Sequence, residues 1–170
     1  MQDEIINKVS QSGLITIDLE TFFQEEDCVA FDIKGYLVEG LLLREKDFRE
    51  FIKNNNWSFY KSKFVALHCS SDAIIPRWAW MLLAVSLQPY AMKIIFGNAQ
   101  TLEKELLLEH IEKINIEEYR DQKVVIKGCG DREISEAVYI AITAKLSPVV
   151  KSIMYGEPCS TVPVYKRREE

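Results

Sequence analysis

The sequence has four cysteines, at positions 28, 69, 129 and 159, but no Cys-x-x-Cys pair. That spacing excludes a zinc ribbon and a thioredoxin motif. There is no Gly-x4-Gly-Lys-Ser/Thr segment, which argues against P-loop nucleotide hydrolysis. There is no Gly-x-Ser-x-Gly nucleophile elbow either. Gly128-Cys129-Gly130 supplies two glycines of a dinucleotide fingerprint, but Glu133 stands where the third would be. A Cys-x5-Arg phosphatase loop begun at Cys69 would need an arginine where Ile75 stands, and Arg77 comes two residues too late.

Long apolar runs are also lacking. The most apolar stretch, Trp78 to Leu87, ends at Gln88-Pro89 and is about half the roughly twenty residues a membrane span needs. Met1-Gln2-Asp3-Glu4 opens the chain without the basic and apolar regions of a signal peptide. The expectation is a cytoplasmic protein without a membrane partner, in a compartment that keeps thiols reduced. Basic stripes are missing too. The net charge is −5 and the pI about 5.2. The basic cluster Lys166-Arg167-Arg168 is followed at once by two glutamates, so it reads as a solvated tail. No nucleic-acid partner is expected.

What is present is a globular composition: 170 residues, 48% apolar and 28% charged, with no repeat and no low-complexity tract. A chain this long buries about 70% of its unfolded surface and needs no disulfide or metal merely to fold. It is read as a single domain over 1–170. Residues 1–60 would give edge strands and short helices, 61–155 β-α repeats, and 156–170 an extended C-terminal segment.

Two periodicities alternate along the centre. Phe64 to His68 is a short apolar run fit for a buried strand. Pro76 suits a helix start, because its missing N–H has no partner there anyway. That helix runs to about Gln88. Met92 to Phe96 is the next strand, ended by Gly97-Asn98. Thr101 is a fair cap for a helix carrying Leu107, Ile111 and Ile114 on one face. Lys123 to Lys127 is a third strand, and a helix follows from about Ser135 to Leu146. Three strand–helix units in a row imply parallel strands with right-handed crossovers. The fold predicted is a three-layer α/β domain with one mostly parallel sheet. Leu14 to Leu19, Cys28 to Ile33 and Tyr36 to Leu43 would add edge strands, some of them antiparallel. Val149 to Tyr155 reads as a second helix after a break at Ser147-Pro148.

Ligands of an open parallel sheet bind beyond the carboxyl ends of its strands. Those ends carry His68-Cys69-Ser70-Ser71-Asp72, Gly97-Asn98 and Gly128-Cys129-Gly130-Asp131. Gly128 and Gly130 let the backbone approach a sulfur or an anion closely and offer it N–H groups. They are candidate cofactor-binding positions. Cys69 precedes a helix N-terminus, whose dipole lowers a thiol pKa, so it is a candidate nucleophile. Cys159 follows Gly156-Glu157-Pro158, and a broken helix would return it to the same edge. Cys69, Cys129 and Cys159, completed by His68 or Asp72, form a candidate metal site. All-thiolate ligation would favour an iron–sulfur cluster, and a histidine or carboxylate fourth ligand would favour zinc. The bland reading is that free cysteines fill core space as small apolar groups, above all Cys28 inside its strand. Trp57, Tyr60, Trp78, Trp80 and Tyr90 are mostly core, with one side of the apolar helix free to pair in a homodimer.

Gly13-Leu14-Ile15-Thr16-Ile17-Asp18-Leu19, Lys46-Asp47-Phe48-Arg49, Ile126-Lys127-Gly128-Cys129-Gly130-Asp131 and Gly156-Glu157-Pro158-Cys159-Ser160-Thr161-Val162-Pro163 resemble a bacterial family of unknown function, DUF2480. The resemblance covers nearly the whole chain and carries no assigned activity. It implies iron–sulfur assembly proteins as partners, through association with genes of that system. Three function classes stay open at this point: a cysteine-bound metal or iron–sulfur cluster, a Cys69 thiolate enzyme or sulfur carrier, and a non-catalytic protein-interaction module.

Overall fold

The computed structural model describes residues 13–22, 27–128, 130 and 133–168. The α/β class and the mostly parallel strand arrangement are borne out. The strands fall in two sheets rather than one, and the chain divides into two compact units. One unit is Gln24–Glu103. The other joins Met1–Phe23 to Lys104–Glu170.

The first unit holds strands β2 (Cys28–Asp32), β3 (Phe64–His68) and β4 (Lys93–Phe96), in the order β2-β3-β4 and all parallel. Helix α1 (Glu45–Asn54) links β2 to β3, and helix α2 (Arg77–Leu87) links β3 to β4. Parallel neighbours require such crossovers. Pro76 occupies the N-cap of α2, one residue before the first helical position. Its fixed extended conformation sets the helix boundary there. Phe31, Val65 and Leu67 pack on Phe48 of α1 and on Ala79, Leu83 and Leu87 of α2. The three α2 residues are spaced four apart, as one helix face demands. Trp57 fills the side of this core and donates its indole N–H to the Ile52 carbonyl at 3.0 Å.

The second unit holds β1 (Leu14–Asp18), β5 (Lys123–Lys127), β6 (Ser152–Glu157) and β7 (Ser160–Lys166), in the order β1-β5-β6-β7. β1, β5 and β6 are parallel, and β7 returns antiparallel to β6. Helix α3 (Ala99–Lys113) crosses the division between units, and helix α4 (Glu136–Leu146) links β5 to β6. Ile17, Val124, Ile126 and Ile153 pack on Leu107 and Ile111 of α3 and on Val138, Ile142 and Leu146 of α4. Side chains alternate along a strand, so Ala66 of β3 and Val125 of β5 point the other way. Both are fully buried, as near-continuous apolar strands predict.

Two N-terminal strands do lie at sheet edges, but both are parallel to their neighbours. The antiparallel pair is the C-terminal hairpin. The helix read over Val149 to Tyr155 is instead strand β6. Ile153 is buried and shares its strand face with Tyr155, whose ring meets Tyr139 of α4, and Gly156 with φ 117° follows too soon for a stable helix. The strand read over Tyr36 to Leu43 is replaced by a 3-10 turn, Ile33–Tyr36, and an isolated bridge between Val38 and Leu42.

Candidate functional site at the carboxyl edge of the four-stranded sheet

Because β1, β5 and β6 run parallel, their last residues, Asp18, Lys127 and Glu157, meet at one edge. Lys127 Nζ lies 3.2 Å from Asp18 Oδ2 and 3.6 Å from Glu157 Oε1. The hydrogen bond to Asp18, then the charges of Asp18 and Glu157, hold the lysine above its usual pKa. Asp18 also accepts the Glu20 N–H at 3.1 Å, and its carbonyl accepts the Thr21 hydroxyl at 2.7 Å. These bonds turn the chain sharply at the end of β1.

The turn aims Glu20 at the loop after β5, where its Oε1 accepts the Gly130 N–H at 2.7 Å. A Cβ on Gly130 would fall on that carboxylate. Gly128, at the end of β5, is buried, and its carbonyl accepts the Tyr139 hydroxyl at 2.9 Å. A Cβ there would stand 2.6 Å from the Tyr139 oxygen and 2.9 Å from Ile134 Cδ1. At both glycines a side chain would have to displace the end of a neighbouring one, Tyr139 or Ile134 at Gly128 and Glu20 at Gly130. The Gly130 N–H meets an anion, as the flanking glycines predict, but the anion is the chain's own Glu20.

Cys159 is exposed in the two-residue turn between β6 and β7, past the same sheet edge. Cys129 lies outside the described residues, between Gly128 and Gly130 in sequence. Cys69 belongs to the other unit. It follows β3, is half-buried, packs against the apolar cluster and has its Sγ 3.2 Å from Ser71 Oγ. It is no part of the first turn or cap of α2, which begins at Arg77 behind Pro76. A helix dipole acts mainly within its terminal turn, so the predicted activation of Cys69 lacks that source. His68, half-buried, pairs in register with Asp32, and Asp72 is exposed.

Burial pushes the Asp32 carboxyl up. Hydrogen bonds from the Ser70 side chain, the Lys34 N–H and the Ser70 N–H, with the charge of His68, outweigh that and hold it below its usual value. Asp32 thus fastens the loop after β3 to the end of β2, which is a structural task. Among the described residues, no group of three or more His, Cys, Asp or Glu is placed to hold a metal ion.

Beside the carboxyl edge lies a groove of about 830 Å3 between α4 and the β6–β7 hairpin. Glu136, Tyr139, Ile140, Thr143 and Ala144 of α4 form one wall, and Met154, Tyr155 and Val164 form the other. The wall spacing of three and four along α4 is a second helical face, distinct from the core face of Val138, Ile142 and Leu146. Ile140 is 69% exposed and Val164 53%. Two carboxylates, Glu133 and Glu136, line the groove, and among the described residues no lysine, arginine or histidine does.

The model of a family described as a protein of unknown function, DUF2480, matches residues 3–167. The chain belongs to the DUF2480 family. No curated protein and no solved structure matches this chain. The family resemblance read from the glycine–cysteine motifs is thus confirmed. The motif Ile126 to Asp131 of this DUF2480 chain contributes Ile126 and Gly128 to the groove itself.

The sequence reading missed the groove. One signal was available: α4 reads Glu-Ala-Val-Tyr-Ile-Ala-Ile-Thr-Ala-Lys-Leu, apolar nearly all round. A helix of that pattern buries more than one face or offers one to a partner.

Proposed function

We propose that this chain is a protein-interaction module whose groove between α4 and the β6–β7 hairpin receives a short segment of a partner protein with apolar side chains and a basic residue. The observation that carries this reading is the lining: apolar walls with two carboxylates, Glu133 and Glu136, and among the described residues no cation. The volume lies within the roughly 300–1,000 Å3 typical of binding clefts. The carboxylates supply charge complementarity, which sets orientation and specificity more than raw affinity.

Strand addition at the free edge of β7 is the less favoured mode. Pro163 sits in the middle of that strand, and proline on an edge blunts strand pairing. Side-chain insertion into the groove needs no edge hydrogen bonds.

A peptide-display selection against the intact protein tests the reading. Enriched sequences should combine large apolar residues with lysine or arginine. They should lose binding to the Ile140→Glu variant. Enrichment of acidic sequences, or binding indifferent to Ile140→Glu, would overturn it.

A second reading is supported by the strand order. β5 and β6 are parallel neighbours, so Gly128 and Gly130, the sequence neighbours of Cys129, lie past the same sheet edge as the turn holding Cys159. That supports a thiolate-bound zinc ion or iron–sulfur cluster involving Cys129 and Cys159, in line with the iron–sulfur assembly partners that the family resemblance implies. Cys69 and its neighbours His68 and Asp72 lie in the other unit and add no support to it.

A further inference from the structure

The groove beside α4 has two unlike ends. Helix α4 begins after β5, at the carboxyl edge of the sheet, and leads back to the start of β6, so it runs against the strands. Glu136 is its first residue and Glu133 lies just before it, so both groove carboxylates belong to the carboxyl end. Ala144 stands near the far end of the helix. At about 1.5 Å per residue, it lies about 12 Å from Glu136 along the axis.

The strand wall repeats this order. Ile153 lies near the start of β6, and the hairpin register pairs it with Tyr165 and Met154 with Pro163. Val164 therefore falls beside Ile153, and this end of the groove is apolar on both walls. Tyr155, nearer the carboxyl end, meets Tyr139 of α4 with ring centroids 5.7 Å apart and planes at 85°. Both rings line the groove. Aromatic faces carry partial negative charge and attract organic cations, and carboxylates in the same cleft add full charges. Lys127, the cation at the end of β5, is bridged instead to Asp18 and Glu157.

We propose that the groove reads its segment with a fixed polarity. A lysine or arginine of the partner is held at the carboxyl end by Glu133, Glu136 and the Tyr139–Tyr155 pair. A large apolar side chain enters the other end, beside Ala144, Ile153 and Val164. The proposal rests on the groove reading above and adds a cation subsite to it.

Calorimetric titration of the full-length protein with a peptide from the display selection tests the polarity. Replacing the peptide's lysine or arginine by norleucine should cost at least tenfold in affinity on the wild type and on Val164→Ala. The same replacement should cost less than twofold on Glu133→Gln/Glu136→Gln, and clearly less on Tyr155→Leu than on the wild type. Replacing the peptide's large apolar residue by alanine should give the opposite pattern, with its cost reduced only on Val164→Ala. Such paired substitutions report which groups meet. If the cation replacement costs the same on every variant while Ile140→Glu still loses binding, the polarity is overturned and the groove reading stands. If no selected peptide depends on Ile140, both fall.

Discussion

Gly130 donates its backbone N–H to Glu20 Oε1 at 2.7 Å, joining two positions 110 residues apart in sequence. The bond closes the loop after β5 onto the turn after β1. It also explains the glycine, because any side chain at position 130 would displace the Glu20 carboxylate.

Gly130→Ala should therefore break a hydrogen bond to a charged acceptor and cost stability. The pair is exposed, so the loss should be about 1 kcal/mol, below the roughly 1.5–3 kcal/mol typical of hydrogen bonds to charged groups. Urea unfolding followed by circular dichroism checks this. An unchanged midpoint would show that the bond contributes nothing.

The Lys127 bridge predicts a pH dependence. Its pKa is raised above 10.5 in the folded protein by the hydrogen bond to Asp18 and by the charges of Asp18 and Glu157. A raised lysine pKa gives stability that is complete below the unfolded value and is lost as pH rises through the folded one. Unfolding midpoints should fall as the pH passes above 10.5. Lys127→Met should remove that contribution to the alkaline slope. A wild-type slope that survives the substitution unchanged would place the effect elsewhere.

Thiol ligation makes a separate prediction. Protein purified without oxygen should carry zinc or iron, with an absorption band in the visible range if a cluster is present. Cys129→Ser and Cys159→Ser should each lower the metal content, and Cys28→Ser should not. Metal-free wild-type protein, with no metal taken up on reconstitution, excludes the reading.

Much of the fold was legible because it is local. Phe64 to His68 and Lys123 to Lys127 are short apolar runs between polar loops, and both are strands. Pro76 and Ser135 marked helix starts that the structure places one residue later, at Arg77 and Glu136. The division into two sheets was not legible. β4 and β5 follow one another with a helix between them, yet β5 pairs with β1 and β6. Those partners are chosen by long-range packing, and periodicity does not encode them. β6 was misread because Val149 to Tyr155 is short and apolar, a pattern that strand and helix share.

The site was legible in part. The glycines after β5 announced a close approach, and the structure supplies its cause in Tyr139, Ile134 and Glu20. The groove was hidden because β7 contributes Val164 from far along the chain. The structure places Cys159 in the turn past the end of β6, as a return to that edge required, while Cys69 sits in the other unit.

The most direct test of the groove reading is hydrogen exchange on the protein with and without a display-selected basic, apolar peptide. The account predicts slowed exchange confined to α4 and the β6–β7 hairpin. It also predicts at least a tenfold loss of peptide affinity in the Glu133→Gln/Glu136→Gln double variant. Protection elsewhere, or an affinity unchanged by removal of both carboxylates, would contradict it.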